Sequence, residues 1–451
     1  MVYIYFIVMA VLLVASFRIN KKDFISPAFI FTFGFFFQAI WVVLYARKWQ
    51  FNMHMNTMLT LIIGVITFIL VTSGVQYLLN KKTKKLEEQG ITTIKIENWK
   101  LYTFLAFTLL FTIYYLSFVV KSVDGNIFNI KSIMDSIAKF DQINKFSNDF
   151  IKVPFLLGNI RIALMACGYW LIYVLVNNYL CEKKVNIVIA ISVVVTLILS
   201  ILNGSRTPAI FMLGAGVAYY LLLLFKKSNG VSISSKLIRN IAIIGLVVLL
   251  TFSTFAKLMG RNIKEKPLDY LAIYCGAQVH NLDTFLQEKD TYVKQNEYFG
   301  GQTFYSIVTS VGRKVSFDGY KDYKLDLPFR RTGEYSLGNV YTTFYPYVYD
   351  FGYVGCVILV ALMATISQAI YHFATRANKK GTASIAVLAY GVVFACLLLS
   401  FFSNKFYENI TNTDFLKKIV IWYLCGWFFC KFDLVKTKNA IKKRFEKMKT
   451  N

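Results

Sequence analysis

Tyr353-Val-Gly-Cys-Val-Ile-Leu-Val-Ala-Leu-Met-Ala-Thr-Ile-Ser-Gln-Ala-Ile-Tyr371 runs nineteen residues without a charge. About twenty apolar residues in a helix span the hydrocarbon core of a bilayer. Working outward, similar runs occupy 2–17, 26–46, 57–79, 101–120, 158–180, 187–202, 208–225, 240–256, 382–403 and 416–430. The first, sixth and last of the eleven are short. Hydrocarbon gives an uncovered backbone no hydrogen-bond partner, so helices are the natural spanning element. The expectation is an all-α, polytopic membrane protein of about eleven transmembrane helices. Residues 1–430 form one membrane domain, 257–338 a large late extracytoplasmic region, and 431–451 a basic tail.

Composition agrees. The 451 residues are 56% hydrophobic and 17% aromatic, with mean hydropathy +0.51, whereas soluble domains stay near 45–50% apolar. Run 2–17 lacks a basic leader and a small-residue cleavage site, so it reads as a retained helix. Of seven cysteines, six lie in or at the ends of apolar runs and only Cys275 falls in the long polar segment. That pattern supports neither a disulfide framework nor a metal site, and no cofactor is expected.

Lysine and arginine in the short loops set the orientation. Arg18, Lys21 and Lys22, the Lys81–Lys100 group, Lys183 and Lys184, Lys226–Arg239, and Arg376–Lys380 share one side. The alternate short loops hold only Arg47, Lys48, Arg206 and Lys405, with Lys417 and Lys418 at a helix start. The first set is therefore cytoplasmic, with the N-terminus outside and the C-terminus inside. Positive-inside bias and attraction to anionic bilayer lipid account for most of the net charge of +26. No basic groove for nucleic acid is apparent.

Two outer segments are long. Residues 121–152 alternate apolar and polar positions, which suits a helix lying on the membrane surface. Lys257–Gly352 holds 12 of the 50 Lys/Arg residues, 11 of the 24 acidic ones and one of three histidines, His280. It also carries the densest aromatic cluster, so chemistry is expected here.

Asn203-Gly204-Ser205-Arg206-Thr207-Pro208 joins two runs on the outer face. A helix N-terminus beside a guanidinium makes an anion site, although an arginine there can also snorkel to headgroups. Arg161, near the outer end of a run, has the same two readings. Arg261, Arg330 and Arg331 lie on the same outer face, and arginine binds phosphate in bidentate fashion. Together these arginines suggest a diphosphate; singly, each is equally a solvated charge. Asn339, Tyr341 and Tyr345 begin an aromatic stretch that reads either as an interfacial belt or as a platform for sugar rings. Glu334, His280 and Asp350 are the candidate bases. Glu334 ranks first, because it follows Arg331 by three residues and precedes the aromatic stretch. Asp350 could instead anchor a turn, and His280 could be a structural hydrogen-bond partner.

The Asn-Gly-Ser-Arg-Thr-Pro turn resembles Wzy-type oligosaccharide repeat-unit polymerases of O-antigen and capsule synthesis. So does a late outer loop ending in Gly338-Asn-Val-Tyr-Thr342 and Tyr349-Asp-Phe-Gly-Tyr-Val-Gly355. The family pattern of Arg and Gly separated by ten residues is not met strictly, since Arg206 and Gly216 leave nine between them. The resemblance implies a metal-independent, GT-C-like membrane glycosyltransferase in the bacterial inner membrane. It would join undecaprenyl-diphosphate-linked oligosaccharides at the outer face, with a flippase and a chain-length regulator as possible partners. Two alternatives are an O-antigen ligase on the same architecture, which would lean on His280, and a polysaccharide transporter or flippase. Transporters often carry internal repeats and mid-membrane charges, and neither is clear in this chain.

Overall fold

The computed structural model describes residues 1–82, 90–146, 151–228, 265–294, 298–315, 323–377 and 381–432, with isolated positions 239, 245 and 254. The expected run 240–256 and most of the basic tail fall outside them. The apolar helices of the first half are α1 (Val2–Ile19), α2 (Pro27–Tyr45), α3 (Met55–Lys82), α4 (Asn98–Lys121), α6 (Phe155–Glu182), α7 (Ile187–Ile201) and α8 (Thr207–Lys227). Between α4 and α6 lies α5 (Ile130–Phe146). The late outer segment contributes α9 (Pro267–Cys275), α10 (Ala277–Glu288), α11 (Tyr305–Val315) and a hairpin of β1 (Arg330–Thr332) and β2 (Tyr335–Gly338). Then come α12 (Phe344–Arg376), α13 (Ile385–Leu398), α14 (Lys405–Ile410) and α15 (Thr413–Cys430).

Seven of these helices, α1–α4, α6, α8 and α12, are long and apolar enough to cross a membrane. The architecture is all-α and multi-pass. Helix starts follow local chemistry. Asn186 and Asn412 accept backbone N–H groups of Ile189 and Asp414, satisfying donors the first turn leaves orphaned. Pro27 and Pro208 sit in first turns, where no N–H is needed.

Lipid is as apolar as a leucine side chain, so helices in a bilayer associate through packing and interhelical hydrogen bonds. Phe31 of α2 stacks on Phe68 of α3 with centroids 4.1 Å apart. Trp422 of α15 donates to the Ala166 carbonyl of α6 at 2.9 Å, and Tyr219 of α8 to Leu388 O of α13 at 3.1 Å.

The turns sort into two ends. At one, Tyr371 donates to Asp23 and Tyr390 to Ile25 O, Lys226 donates to Ala377 O, and Asn177 donates to Thr92 O. These are the loops rich in lysine and arginine. At the other, Thr332 of the hairpin donates to Trp49 O, Arg206 meets Tyr270, and Asn404 donates to Thr303 O. The described late segment therefore caps the end opposite the basic loops.

Three expectations need correction. Residues 344–352 are not loop: α12 starts at Phe344 and bends at Gly352, whose φ of 66° and ψ of −169° interrupt an otherwise helical segment. The run 382–403 is helical only over Ile385–Leu398. Helix α5 forms, but its apolar side does not face outward. Phe140 is buried, and Ile137 and Ile143 pack with it against Tyr115, Leu157 and Leu199 of α4, α6 and α7. Phe128 and Ile130, at its start, are the exposed apolar residues.

Candidate functional site

The Asn203–Arg206 turn is the meeting point. Arg161, on the first turns of α6, donates from Nη2 to Ser200 O at the end of α7 (3.0 Å), with its guanidinium 5.5 Å from the Tyr115 ring centre. Tyr115 in turn donates to Asn203 Oδ1 at 2.7 Å. On the far side of the turn Arg206 is buried, donates to Tyr270 Oη at 3.1 Å and lies 5.4 Å from the Tyr274 ring centre. Burial pushes the Tyr270 phenol up to about 12, so it stays neutral beside the cation. Gly204 lets the turn pass against α5: a Cβ there would stand 2.4 Å from Asp141 Cβ and 2.7 Å from Ile137 O. Arg206 thus sits within the turn itself, while Arg161 is held to Ser200 at the end of α7 and reaches the turn through Tyr115.

Lys418, on the second turn of α15, joins this group. Its charge interacts with those of Arg161 and Asp414, and its Nζ lies 5.6 Å from the Tyr169 ring centre. Among the described residues Lys418 makes no hydrogen bond, whereas the adjacent Lys417 pairs with Asp414 at 3.0 Å. The Nε of Arg161 is buried without a partner. Charges placed in an apolar run are the signal for such a residue. The turn Asp414-Phe-Leu-Lys417-Lys418 carries that signal, although sequence reading treated its lysines only as a topology marker.

Helix α9 connects this turn to the hairpin. Asp269, beside Tyr270, accepts from Tyr45 at 2.9 Å and from Lys48 at 2.5 Å, and Lys48 lies 5.3 Å from the Tyr335 ring centre of β2. Burial raises the Asp269 carboxyl, but the Lys48 and Tyr45 hydrogen bonds outweigh it and hold the pKa below the usual value.

The remaining predicted residues are spread over this cap. The guanidinium fork of Arg330 is taken by Glu288 in a bidentate pair at 3.2 and 2.7 Å, and its Nε donates to Tyr341 Oη. A diphosphate would have to compete with that carboxylate. Arg331 is exposed, and Glu334 is exposed at the hairpin tip. Arg261 lies outside the described residues. Asn339 is half-buried just after β2.

Tyr341 and Tyr345 are buried, their ring centres 4.2 Å apart, so as placed they are packing residues and not an open platform. Burial pushes the Tyr341 phenol up to about 12. Asp350 accepts the backbone N–H groups of Gln302 and Thr303, the latter at 2.7 Å, and so anchors a loop. His280 of α10 packs its ring 4.8 Å from Phe51. Burial holds its pKa below the usual value, the nearby Arg330 acts in the same direction, and Asp283 opposes both.

Two arrangements were not anticipated. Buried Asp326 accepts from the hydroxyls of Tyr292 and Tyr349, both at 2.8 Å, while its carbonyl accepts from Tyr345 at 2.6 Å. Asp283 of α10 pairs with His54, which immediately precedes α3, at 2.8 Å. Neither pairing could be read from the sequence, because each joins segments distant along the chain. Compared with known proteins, the chain matches no family model, no curated protein and no solved structure.

Proposed function

We propose that the chain is a Wzy-type polymerase. It transfers a growing glycan from undecaprenyl diphosphate to the non-reducing end of an incoming lipid-linked repeat unit. The proposed topology has eleven spans in a GT-C-like arrangement, the N-terminus outside and the C-terminus inside the bacterial inner membrane. The described residues flanking 229–264 stand at opposite ends of the bundle, in keeping with an eighth span between them.

The observation that carries this reading is the cationic group of Arg161, Arg206 and Lys418 at the end capped by the late segment. The leaving group is a lipid diphosphate, and its developing charge is best met by cations fixed beforehand. Both substrates are lipid-anchored, so the reaction belongs at a bilayer edge, and these residues sit at helix ends.

The test is chain extension by purified protein supplied with lipid-linked repeat units. Arg206→Ala and Lys418→Met should each slow extension on the order of a hundredfold or more, the usual effect of losing one charged donor. Lysine should substitute poorly for Arg206 if its contact is bidentate. Normal chain-length distributions in both variants would reduce these residues to structural charges and remove the main support for the reading.

A further inference from the structure

A glycosyl transfer with concerted attack needs a base for the acceptor hydroxyl. We propose that His54 Nε2 takes that proton and that Asp283 positions the imidazole for it. This assignment rests on the polymerase reading.

Asp283 grips His54 at two points. Its Oδ1 accepts the His54 backbone N–H at 2.9 Å, and its Oδ2 lies 2.8 Å from Nδ1 of the same ring. A carboxylate only accepts, so Nδ1 carries the hydrogen, and in the neutral ring Nε2 keeps its lone pair. The carboxylate is buried, but the His54 side chain is 56% exposed, so a substrate can reach it. Among the described residues Nε2 makes no hydrogen bond. A buried carboxylate behind an imidazole fixes the tautomer and stabilises the imidazolium that forms.

The other candidates lack this combination. His280 is packed against Phe51. Asp350 accepts two backbone N–H groups. Glu334 is exposed, and among the described residues no hydrogen bond orients it. On α10, His280 interacts electrostatically with Asp283 and with Arg330 of β1, whose own guanidinium is paired with Glu288.

In the step itself, the bond from C1 of the donor sugar to the diphosphate oxygen breaks, and its electron pair leaves with the lipid diphosphate. The acceptor oxygen bonds to C1. Its proton passes to His54 Nε2 and from the imidazolium to water.

Asp283 also caps the start of α3 by accepting the His54 N–H, so a structural role must be separated from a positioning one. Asp283→Asn does this. An asparagine Oδ1 still accepts the backbone N–H, but its amide would donate to Nδ1 and move the ring proton onto Nε2.

The experiment measures single-turnover extension against pH for full-length protein in bilayers, with donor binding followed separately. His54→Gln and Asp283→Asn should each keep donor binding and lose about 10²–10⁴-fold in rate, the usual contribution of a general base. The acidic limb of the pH profile should disappear in His54→Gln. Nitrogen NMR of the wild-type protein should find His54 protonated on Nδ1 when neutral. Extension at the wild-type rate by either variant, or a neutral ring protonated on Nε2, overturns the assignment while leaving the polymerase reading intact. A folded wild-type protein that binds lipid-linked units but never extends them sinks both.

Discussion

Gly204→Ala is a single-methyl probe of the turn that carries Arg206. Gly204 has φ of +79°, and its missing Cβ would fall 2.4 Å from Asp141 Cβ and 2.7 Å from Ile137 O on α5. The left-handed conformation costs an alanine about 1–2 kcal/mol. Forcing a methyl into occupied space adds about 1–3 kcal/mol. The two together set a ceiling of roughly 5 kcal/mol, which the chain can lower only by moving the turn off α5. Carbon atoms rest about 3.5–4.0 Å apart, so the shift needed is on the order of 1 Å. That motion pulls Asn203 from Tyr115 and carries Arg206 away from Tyr270. A displacement of this size typically costs about a hundredfold in rate when the moved group positions substrate. The assays are thermal unfolding in detergent and chain extension at saturating donor. The variant should unfold at lower temperature and extend at roughly a hundredth of the wild-type rate. Wild-type values in both assays would refute the idea that the contact with α5 holds the turn in place.

Asp326→Ala should lower thermal stability by about 1–3 kcal/mol for each tyrosine hydroxyl it orphans, and an unchanged melting temperature would show that Tyr292 and Tyr349 find other acceptors. His280 is held below its ordinary pKa of 6.5, chiefly by burial, so the unfolded chain binds its proton more readily. Its contribution to stability is therefore complete above 6.5 and falls as pH drops from 6.5 towards the lowered native value. His280→Gln should flatten that part of the curve of melting temperature against pH. Cysteines introduced at Lys289 and Asn451 should label from opposite sides of the membrane, and labelling from one side would defeat the topology.

The membrane helices were legible because an unbroken apolar run needs no tertiary context to be read. Tyr353–Tyr371 is the plainest case, and its helix nonetheless begins nine residues earlier, at Phe344. From Tyr345 onward those residues alternate aromatic side chains with Pro346, Val348, Asp350 and Gly352, a period of two that gave no sign of helix before the bend at Gly352. The amphipathic pattern of α5 was legible, but the surface it packs against was not. An apolar face fits lipid and the ends of α4, α6 and α7 equally well.

Arg206 was singled out from a turn and a helix start, both local features. Lys418 carried a local signal, a charge inside an apolar run, but the neighbours that set it apart from Lys417, Arg161 and Tyr169, are far away in the chain. The reading of Tyr341 and Tyr345 as a platform met the same obstacle: aromatic residues do not announce whether they face a ligand or one another. Glu334 stood out by its nearness in sequence to Arg331. The pairing of His54 with Asp283 spans the chain from a short early loop to the late segment, and no spacing rule reaches that far.

The most direct test of the central claim is extension by the wild-type protein. Purified protein in bilayers is given undecaprenyl-diphosphate-linked repeat units alone, with no nucleotide sugar and no other enzyme. The account predicts a ladder of products growing by one repeat unit, with one lipid diphosphate released per unit added. A folded protein that binds these substrates yet yields neither longer glycan nor free lipid diphosphate would contradict it.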